Sequence, residues 1–340
     1  MKVFIFILTF VSILPWLAKA QVTAEPAYDK PIFSAEVDMV NVTVVALSAG
    51  GKPLPQLEKQ NFKLEESLAG GQNFRERNIK LDQPEQLPLR GGIIIDTSGS
   101  TARQFRYQLD VASELVKWII KAVGDKKRGD KFFVAEFYYE SLDLNPSQGA
   151  FTLKQDWSDD SSALVRAIVR KTKKAAGTSP LFGSVRFAAE KFKKEARGNF
   201  ANFLIIVADG QDNVALADLK ESTYRAQAVD LPIYTIGTAK HDIDSFLLDS
   251  YENNLKQISQ LTGGRFFDLP EQNKLPEIAR QVLQDLRNQY HLSYELSPDY
   301  KDGDEVKIRV RVGNVSSDGK WQPLPAKLLH REGYLVTKSH

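Results

Sequence analysis

Two aspartates stand at the ends of short apolar segments, each beside small polar residues. Asp96 follows three isoleucines and begins the pattern Asp96-x-Ser98-x-Ser100, and Asp209 follows the apolar run Phe203–Val207 by two residues. Where a strand opens into a loop, alternate side chains point the same way. One carboxylate and two hydroxyls of the first pattern would therefore face one point. Such a set of oxygen atoms is suited to holding a cation.

A third segment, between the two aspartates, adds hydroxyl groups at the start of a predicted helix. Its sequence is Gly177-Thr178-Ser179-Pro180-Leu181. Pro180 favours the first helical position, which leaves Ser179 at the capping position before it. This registration favours Ser179 over Thr178 as the residue that faces the aspartates, with Thr178 as the alternative. In an open parallel sheet, loops at the carboxyl ends of strands converge, and ligands bind there.

The chemistry of these side chains predicts which ion they would bind. Ligands that are all oxygen atoms favour one hard cation, Mg²⁺ or else Ca²⁺ or Mn²⁺, over zinc or copper. Because hydroxyls are neutral, the ion would stay electrophilic and keep a position that a partner's carboxylate can take. We therefore expect binding to a protein that presents an exposed Asp or Glu, with no catalytic residue. The predicted ligands are Asp96, Ser98, Ser100, Ser179 and Asp209.

The region from 89 to 288 alternates between strand and helix patterns, which predicts an α/β fold. The expected architecture is a doubly wound, mostly parallel sheet with helices on both faces. Short buried runs predict strands at Gly92–Ile95, Phe132–Ala135, Phe203–Val207, Ile233–Ile236 and Arg265–Asp268. Apolar spacing near 3.6 residues predicts helices around 109–119, 162–173, 181–194, 219–228, 255–261 and 275–288.

The two flanking regions, 33–88 and 289–338, both show strand patterns. Val306, Ile308, Val310 and Val312 alternate with charged residues, a signature of a half-buried antiparallel strand. Each flank offers too few strands to be stable alone. We therefore expect the two flanks to pair in one small β-sandwich, into which the α/β domain is inserted.

The start of the chain has the features of a cleavable secretory signal over residues 1–20. Lys2 precedes the apolar run Val3–Leu14, and Ala18-Lys19-Ala20 supplies small residues for cleavage. The apolar run is too short to span a bilayer, and no second run of about twenty apolar residues follows. The prediction is a secreted or periplasmic protein of the cell envelope, with a linker at 21–32 and no transmembrane segment after cleavage.

The composition excludes several classes of function. Lys and Arg total 45 against 43 Asp and Glu, which argues against a nucleic-acid-binding protein with its basic face. Cysteine is absent, so disulfides, zinc–thiolate sites and thiol catalysis are excluded. The four histidines show no metal-ligand spacing.

The combined motif resembles the von Willebrand factor A-type domain. The metal ion-dependent adhesion site of that family has the pattern D-x-S-x-S, then a Thr, then an Asp. Asp96, Ser98, Ser100 and Asp209 match the pattern, and the threonine position aligns with Ser179 on Pro180-Leu181. The resemblance implies one divalent cation and metal-dependent adhesion to a partner protein.

The flanks resemble a bacterial group of secreted proteins known as von Willebrand factor A-related domain proteins. The segment VNVTVVALSAGGKPLPQLEKQNFKLEE precedes the central domain, and NQYHLSYELSP, DGDEVKIRVRV and REGYLV follow it in that order. This resemblance implies a bacterial source and a location in the cell envelope.

Three other functions could use the same residues. In a structural envelope protein the metal would only stabilise the loops, and metal-dependent partner binding distinguishes this reading from adhesion. An aspartic protease needs a glycine directly after Thr97, where Ser98 stands, and an all-β fold. An aspartyl phosphotransferase needs a carboxylate two residues beyond Asp96, again the position of Ser98. The sequence therefore disfavours an enzyme.

Overall fold

The computed structural model describes residues 39–82, 87–123, 129–139, 151–171, 177–195, 200–214, 217–239, 245–268 and 274–336. The predicted signal at 1–20, the linker at 21–32 and the start of the first flank lie outside these residues. Within the described ranges, none of the helices combines the length and apolar character that crossing a bilayer requires.

A six-stranded sheet forms the centre of the α/β region. In spatial order its strands are β10 (Phe266–Asp268), β9 (Ile233–Gly237), β8 (Ala201–Ala208), β5 (Leu89–Asp96), β6 (Lys131–Phe137) and β7 (Phe151–Ser158). The first five run parallel, and β7 lies antiparallel to β6 at the edge. The predicted doubly wound, mostly parallel sheet is confirmed.

Helices cover both faces of this sheet because its central strands are apolar on both sides. Ile93 and Ile95 pack against α1 (Phe105–Val123), α2 (Ser161–Arg166) and α6 (Leu275–Arg287). Ile94 faces the other way, against α3 (Leu181–Glu195), α4 (Leu219–Ala228) and α5 (Ser245–Thr262). Burial on both faces explains why β5 and β8 are continuous apolar runs without the alternation of a half-exposed strand.

Three elements differ from the sequence-based predictions. Strand β7 was not predicted, because its residues are mostly half-exposed or exposed and give no apolar pattern. The helix predicted at 162–173 is a short α2 that continues as a π-helical turn over Ala167–Lys171. Helix α5 begins at Ser245, ten residues before the predicted start, because residues 247–254 are exposed or half-buried and give no regular apolar spacing before the buried Leu255.

The flanks form two antiparallel sheets with a shared core, as predicted. The first sheet has the order β14 (Ala326–Leu329), β1 (Met39–Ser48), β11 (Gln289–Glu295) and β4 (Lys80–Asp82). The second has the order β13 (Trp321–Pro323), β12 (Glu305–Val315), β2 (Phe62–Leu68) and β3 (Arg75–Glu76), and β15 (Gly333–Leu335) also pairs with β12. Strands from opposite ends of the chain thus pair directly, β1 with β11 and β2 with β12.

Polar contacts join this sandwich to the α/β region near the end of α4. Asp230 accepts hydrogen bonds from the amide and hydroxyl of Thr43, at 3.2 and 2.6 Å. The buried guanidinium of Arg331 donates to the carbonyl oxygens of Gln227 and Asn41, one on each side of the junction. These contacts fix the last turn of α4 against strand β1.

Candidate metal centre

The two predicted aspartates lie at the same edge of the central sheet. Asp96 is the last residue of β5, and Asp209 directly follows β8. These two strands are parallel neighbours, with Ile95 paired to Val207. Both carboxylates are buried, Asp96 completely and Asp209 with 4% of its surface exposed. Parallel pairing of the neighbouring central strands β5 and β8 is therefore what brings the two carboxylates together.

Polar contacts connect all five predicted residues. Ser179 Oγ donates to Asp96 Oδ2 at 3.1 Å, and the same carboxylate accepts a hydrogen bond from the Ser98 amide at 2.9 Å. Ser98 Oγ lies 3.0 Å from Ser100 Oγ. The hydroxyl of Ser100 in turn interacts with the Asp209 carboxylate, where it opposes the effect of burial on the pKa. Two carboxylates and three hydroxyls thus surround one locus, at which only Ser100 is exposed to solvent.

The neighbouring Thr178 faces away from this locus. Its backbone exchanges two hydrogen bonds of 2.9 Å with Tyr139, and its Oγ1 donates to the Tyr139 carbonyl at 3.2 Å. Successive side chains of an extended segment point in opposite directions. Because this bridge directs Thr178 toward Tyr139, the next residue, Ser179, directs its hydroxyl toward Asp96. The structure therefore places the hydroxyl of Ser179, and not that of Thr178, beside the carboxylates.

The loop after Asp209 fastens the start of α3, a role that the sequence did not reveal. Asp212 accepts a hydrogen bond from the Phe182 amide at 3.0 Å, and Asn213 accepts one from the Ser179 amide at 2.7 Å. Asp and Asn are common partners for free amides at a helix start. The residue types Asp and Asn therefore indicated a helix-capping role, but the helix that they cap lies about thirty residues earlier in the chain. Local sequence patterns could not identify that helix as their partner.

Gly210 allows helix α5 to pack directly on the same loop. Its φ is +93°, a backbone conformation that residues with a side chain rarely adopt. A Cβ at this position would overlap the Tyr251 carbonyl oxygen of α5. Asn254, one turn further along α5, donates to the Gly210 carbonyl at 3.0 Å. Glycine is thus required here both by the backbone angle and by the close approach of the helix.

The electrostatics of the locus disfavour two ionised carboxylates. Burial and the nearby charge of Asp209 raise the pKa of Asp96 to about 8, although hydrogen bonds from Ser98 and Ser179 oppose the shift. Burial likewise raises the pKa of Asp209. In the part of the chain that the structure describes, no Lys, Arg or His forms an ion pair with either carboxylate. A cation would supply the missing positive charge.

The donor set decides which cations could fit. Among the described residues, no group of three or more His, Cys, Asp or Glu side chains has a metal-holding arrangement. The locus around Asp96 has only two such side chains, and its other donors are hydroxyl groups. A set of five oxygen atoms with two negative charges suits a hard divalent cation that keeps water among its ligands. The residues present therefore fit Mg²⁺, Ca²⁺ or Mn²⁺.

Comparison with known families gives one match. The model of the von Willebrand factor type A domain matches residues 92–281, more than half of the 340-residue chain. The matched region begins within β5 and ends within α6, so it covers the central sheet and its helices. No curated protein matches the chain.

Solved structures that resemble this chain have low sequence identity to it. An aerotolerance-related membrane protein from Bacteroides fragilis is 12% identical over 58% of this chain and 98% of its own, with a TM-score of 0.45. The pilus adhesin SpaC from Lactobacillus rhamnosus GG is 8% identical over 85% of this chain and 49% of its own, at 0.46. Proximal thread matrix protein 1 from the mussel byssus, solved with a zinc-occupied MIDAS motif, is 15% identical over 61% and 49%, at 0.46.

Proposed function

The chain belongs to the von Willebrand factor type A domain family, and on that premise we propose that it is an exported, non-catalytic adhesion or scaffold protein. One divalent cation, Mg²⁺ in the first place, would be held by Asp96, Ser98, Ser100, Ser179 and Asp209. An exposed Asp or Glu of a partner protein would complete its coordination. Domains of this family commonly bind a divalent metal and often mediate protein–protein interactions.

The observation that carries this proposal is the pair of buried carboxylates that share three hydroxyl groups and no cationic side chain in the described part of the chain. Burying a charge without a partner is costly, so an unneutralised pair of this kind needs a function. A divalent cation would neutralise both carboxylates. Only two of the five donors that coordinate the cation would be charged, because the other three are neutral hydroxyls. A partner's carboxylate could then form a strong charge-assisted contact with it.

The arrangement of these residues also favours binding over catalysis. A hydrolytic metal site needs a general base near the ion, with a pKa matched to proton transfer. Here the two carboxylates themselves would be ligands. The next carboxylate of the loop, Asp212, accepts a hydrogen bond from the Phe182 amide, and the side chain of Asn213 holds Ser179, so both are engaged at the start of α3. Recognition of a carboxylate requires only the ion and an open position. The predicted signal at 1–20 supports an extracellular or periplasmic site of action.

The decisive experiment measures partner capture with and without the ion. Immobilised protein would be exposed to a cell-envelope extract in Mg²⁺ and in chelator, and bound proteins would be compared by mass spectrometry. We expect capture in Mg²⁺ only, and its loss with Asp96→Ala, whose fold is checked by circular dichroism. Blocking the carboxylates of the extract with a carbodiimide and an amine should abolish the same capture, because the acidic ligand would then be an amide.

A matched control separates the site from its neighbourhood. Thr178→Ala removes a hydroxyl next to Ser179 that points to Tyr139 and away from the carboxylates, so it should leave capture unchanged. Ser179→Ala removes the hydroxyl that faces Asp96 and should weaken capture. Equal capture in Mg²⁺ and in chelator, with a lower melting temperature in chelator, would contradict adhesion through the ion. The cation would then only stabilise the loops.

A further inference from the structure

A short 3-10 helix, Gly99–Arg103, carries Ser100 and continues past the candidate metal centre. In such a helix, side chains three residues apart lie on the same side. The burial pattern follows this period. Thr101 and Gln104 are buried on one side, and Thr101 Oγ1 donates to the Ser98 carbonyl at 2.8 Å. Gly99 and Ala102 are exposed on a second side, and Ser100 and Arg103 are both exposed on the third side, where they lie together.

Arg103 therefore lies beside the opening of the centre. With a rise of about 2 Å per residue, its Cα stands about 6 Å from that of Ser100 along the helix axis. Its side chain is long enough to cover that distance in either direction. Ser100 is the one exposed member of the five predicted ligands, so a partner that reaches the ion must pass along this side.

The guanidinium of Arg103 forms no ion pair or hydrogen bond with any residue in the described ranges. Some exposed arginines of the same domain are paired, such as Arg225 with Glu221 and Arg280 with Glu277. An arginine presents a rigid fork of donors that matches a carboxylate and binds it through two parallel hydrogen bonds. Arg103 thus offers a carboxylate-binding group next to a site that would itself bind a carboxylate.

We propose that Arg103 binds a second carboxylate of the partner, so that the segment recognised by this protein carries two acidic side chains. One would complete the coordination of the cation, and the other would pair with the guanidinium. This inference rests on the proposed function and adds a rule of specificity to it. Arg106, although also exposed, lies beyond the break at Gln104, where the 3-10 repeat ends and α1 begins.

Synthetic peptides test this rule without knowledge of the natural partner. The probes are N-acetylated peptide amides of Gly and Ser with no Asp, with one Asp, or with two Asp separated by one, two or three residues. Binding to the full-length protein would be measured by biolayer interferometry at low ionic strength, in Mg²⁺ and in chelator. Because Arg103 is exposed, an ion pair with it is weak, so at low ionic strength the best two-Asp peptide should bind about two- to fivefold more tightly than the one-Asp peptide.

Three variants isolate the contribution of Arg103. Arg103→Gln should lose the preference for two Asp residues and leave binding of the one-Asp peptide unchanged. Arg103→Lys should keep part of the preference, because a lysine retains the charge and loses the bidentate geometry. Arg75→Gln makes the same change of net charge on the exposed strand β3 of the sandwich, and should alter neither peptide.

The outcomes separate this inference from the function on which it rests. An unchanged ratio between the two-Asp and one-Asp peptides in Arg103→Gln would overturn the role of Arg103 and leave ion-dependent adhesion intact. An equal loss of both peptides in that variant would also overturn it, because Arg103 would then act on the ion or on the fold. If no peptide bound better in Mg²⁺ than in chelator, the proposed function would fail, and the inference with it.

Discussion

Replacing Asp96 by Asn should stabilise the protein in the absence of divalent cations and abolish its response to them. Asn has the shape of Asp, so its Oδ1 can still accept the hydrogen bond from the Ser98 amide. Its amide nitrogen can donate to Ser179 Oγ, where Asp96 accepts. The substitution therefore replaces a buried ionisable group by a neutral one and preserves the packing around it.

The magnitude follows from the pKa of Asp96, which is raised in the folded protein from 3.8 to about 8. The folded state thus binds the proton more tightly than the unfolded chain. Without metal, stability is then lost as the pH rises above 3.8, at up to about 1.4 kcal/mol per pH unit, and levels off above 8. At pH 7 the cost is about 4 kcal/mol. Asp96→Asn should recover up to that amount in chelator at pH 7 and almost nothing at pH 4.

Urea denaturation at pH 4, 5.5 and 7, in chelator and in saturating Mg²⁺, would measure these free energies. The wild-type protein should gain about 2.7 kcal/mol at a Mg²⁺ concentration one hundred times its Kd, and Asp96→Asn should gain nothing. Asp230→Asn is the matched control. Although burial opposes it, hydrogen bonding with His291 and the charge of Arg331 hold the pKa of Asp230 below its usual value, and the carboxylate also accepts hydrogen bonds from the amide and hydroxyl of Thr43. Its substitution should therefore destabilise the protein at pH 7 by about 2 kcal/mol in both buffers.

The reasoning would be refuted if Asp96→Asn were less stable than the wild type in chelator at pH 7. The carboxylate would then be favourable to the fold without a cation. Equal gains in Mg²⁺ for the wild type and the variant would place the ion elsewhere in the protein.

Three further predictions follow from the same contacts. Ser179→Ala should raise the Kd for Mg²⁺ in calorimetric titrations more than Thr178→Ala, and the reverse order would assign the loop ligand to Thr178. Gly210→Ala should lower the free energy of unfolding by about 3 kcal/mol, because a Cβ at φ +93° meets the α5 backbone; wild-type stability in urea would contradict that contact. A fragment over residues 89–288 should melt cooperatively, whereas 33–88 alone should not, and cooperative melting of the shorter fragment would refute the domain boundaries.

The sequence predicted the central fold because its signals are local. A short apolar run buried on both faces, such as Ile93–Ile95, needs no knowledge of its neighbours to be identified as a central strand. The alternation of such runs with helical periods predicts parallel pairing, and that pairing brings Asp96 and Asp209 to one edge. The sequence also predicted that the two flanks pair, since neither flank has enough strands to be stable alone. Strand β7 escaped prediction because an edge strand with exposed residues on both faces has no apolar pattern.

The detailed contacts of the candidate centre depend on residues far apart in the chain. The sequence left Thr178 and Ser179 as alternatives, and the bridge to Tyr139 decided which hydroxyl faces Asp96. Asp212 and Asn213 cap a helix that precedes them by some thirty residues, which no local pattern reveals. The identity of the bound ion and of the partner stays a prediction, to be tested as described above.

The sequence by itself therefore determined the α/β architecture, the family and the residue types that could hold a cation, since composition and periodicity act over a few residues. The tertiary structure alone decided that Ser179 lies beside Asp96, that Gly210 admits helix α5, and that Arg103 shares the exposed side of its helix with Ser100. The physical reason is the same in each case. These arrangements are set by backbone register and close packing between distant segments, and only the folded chain specifies them.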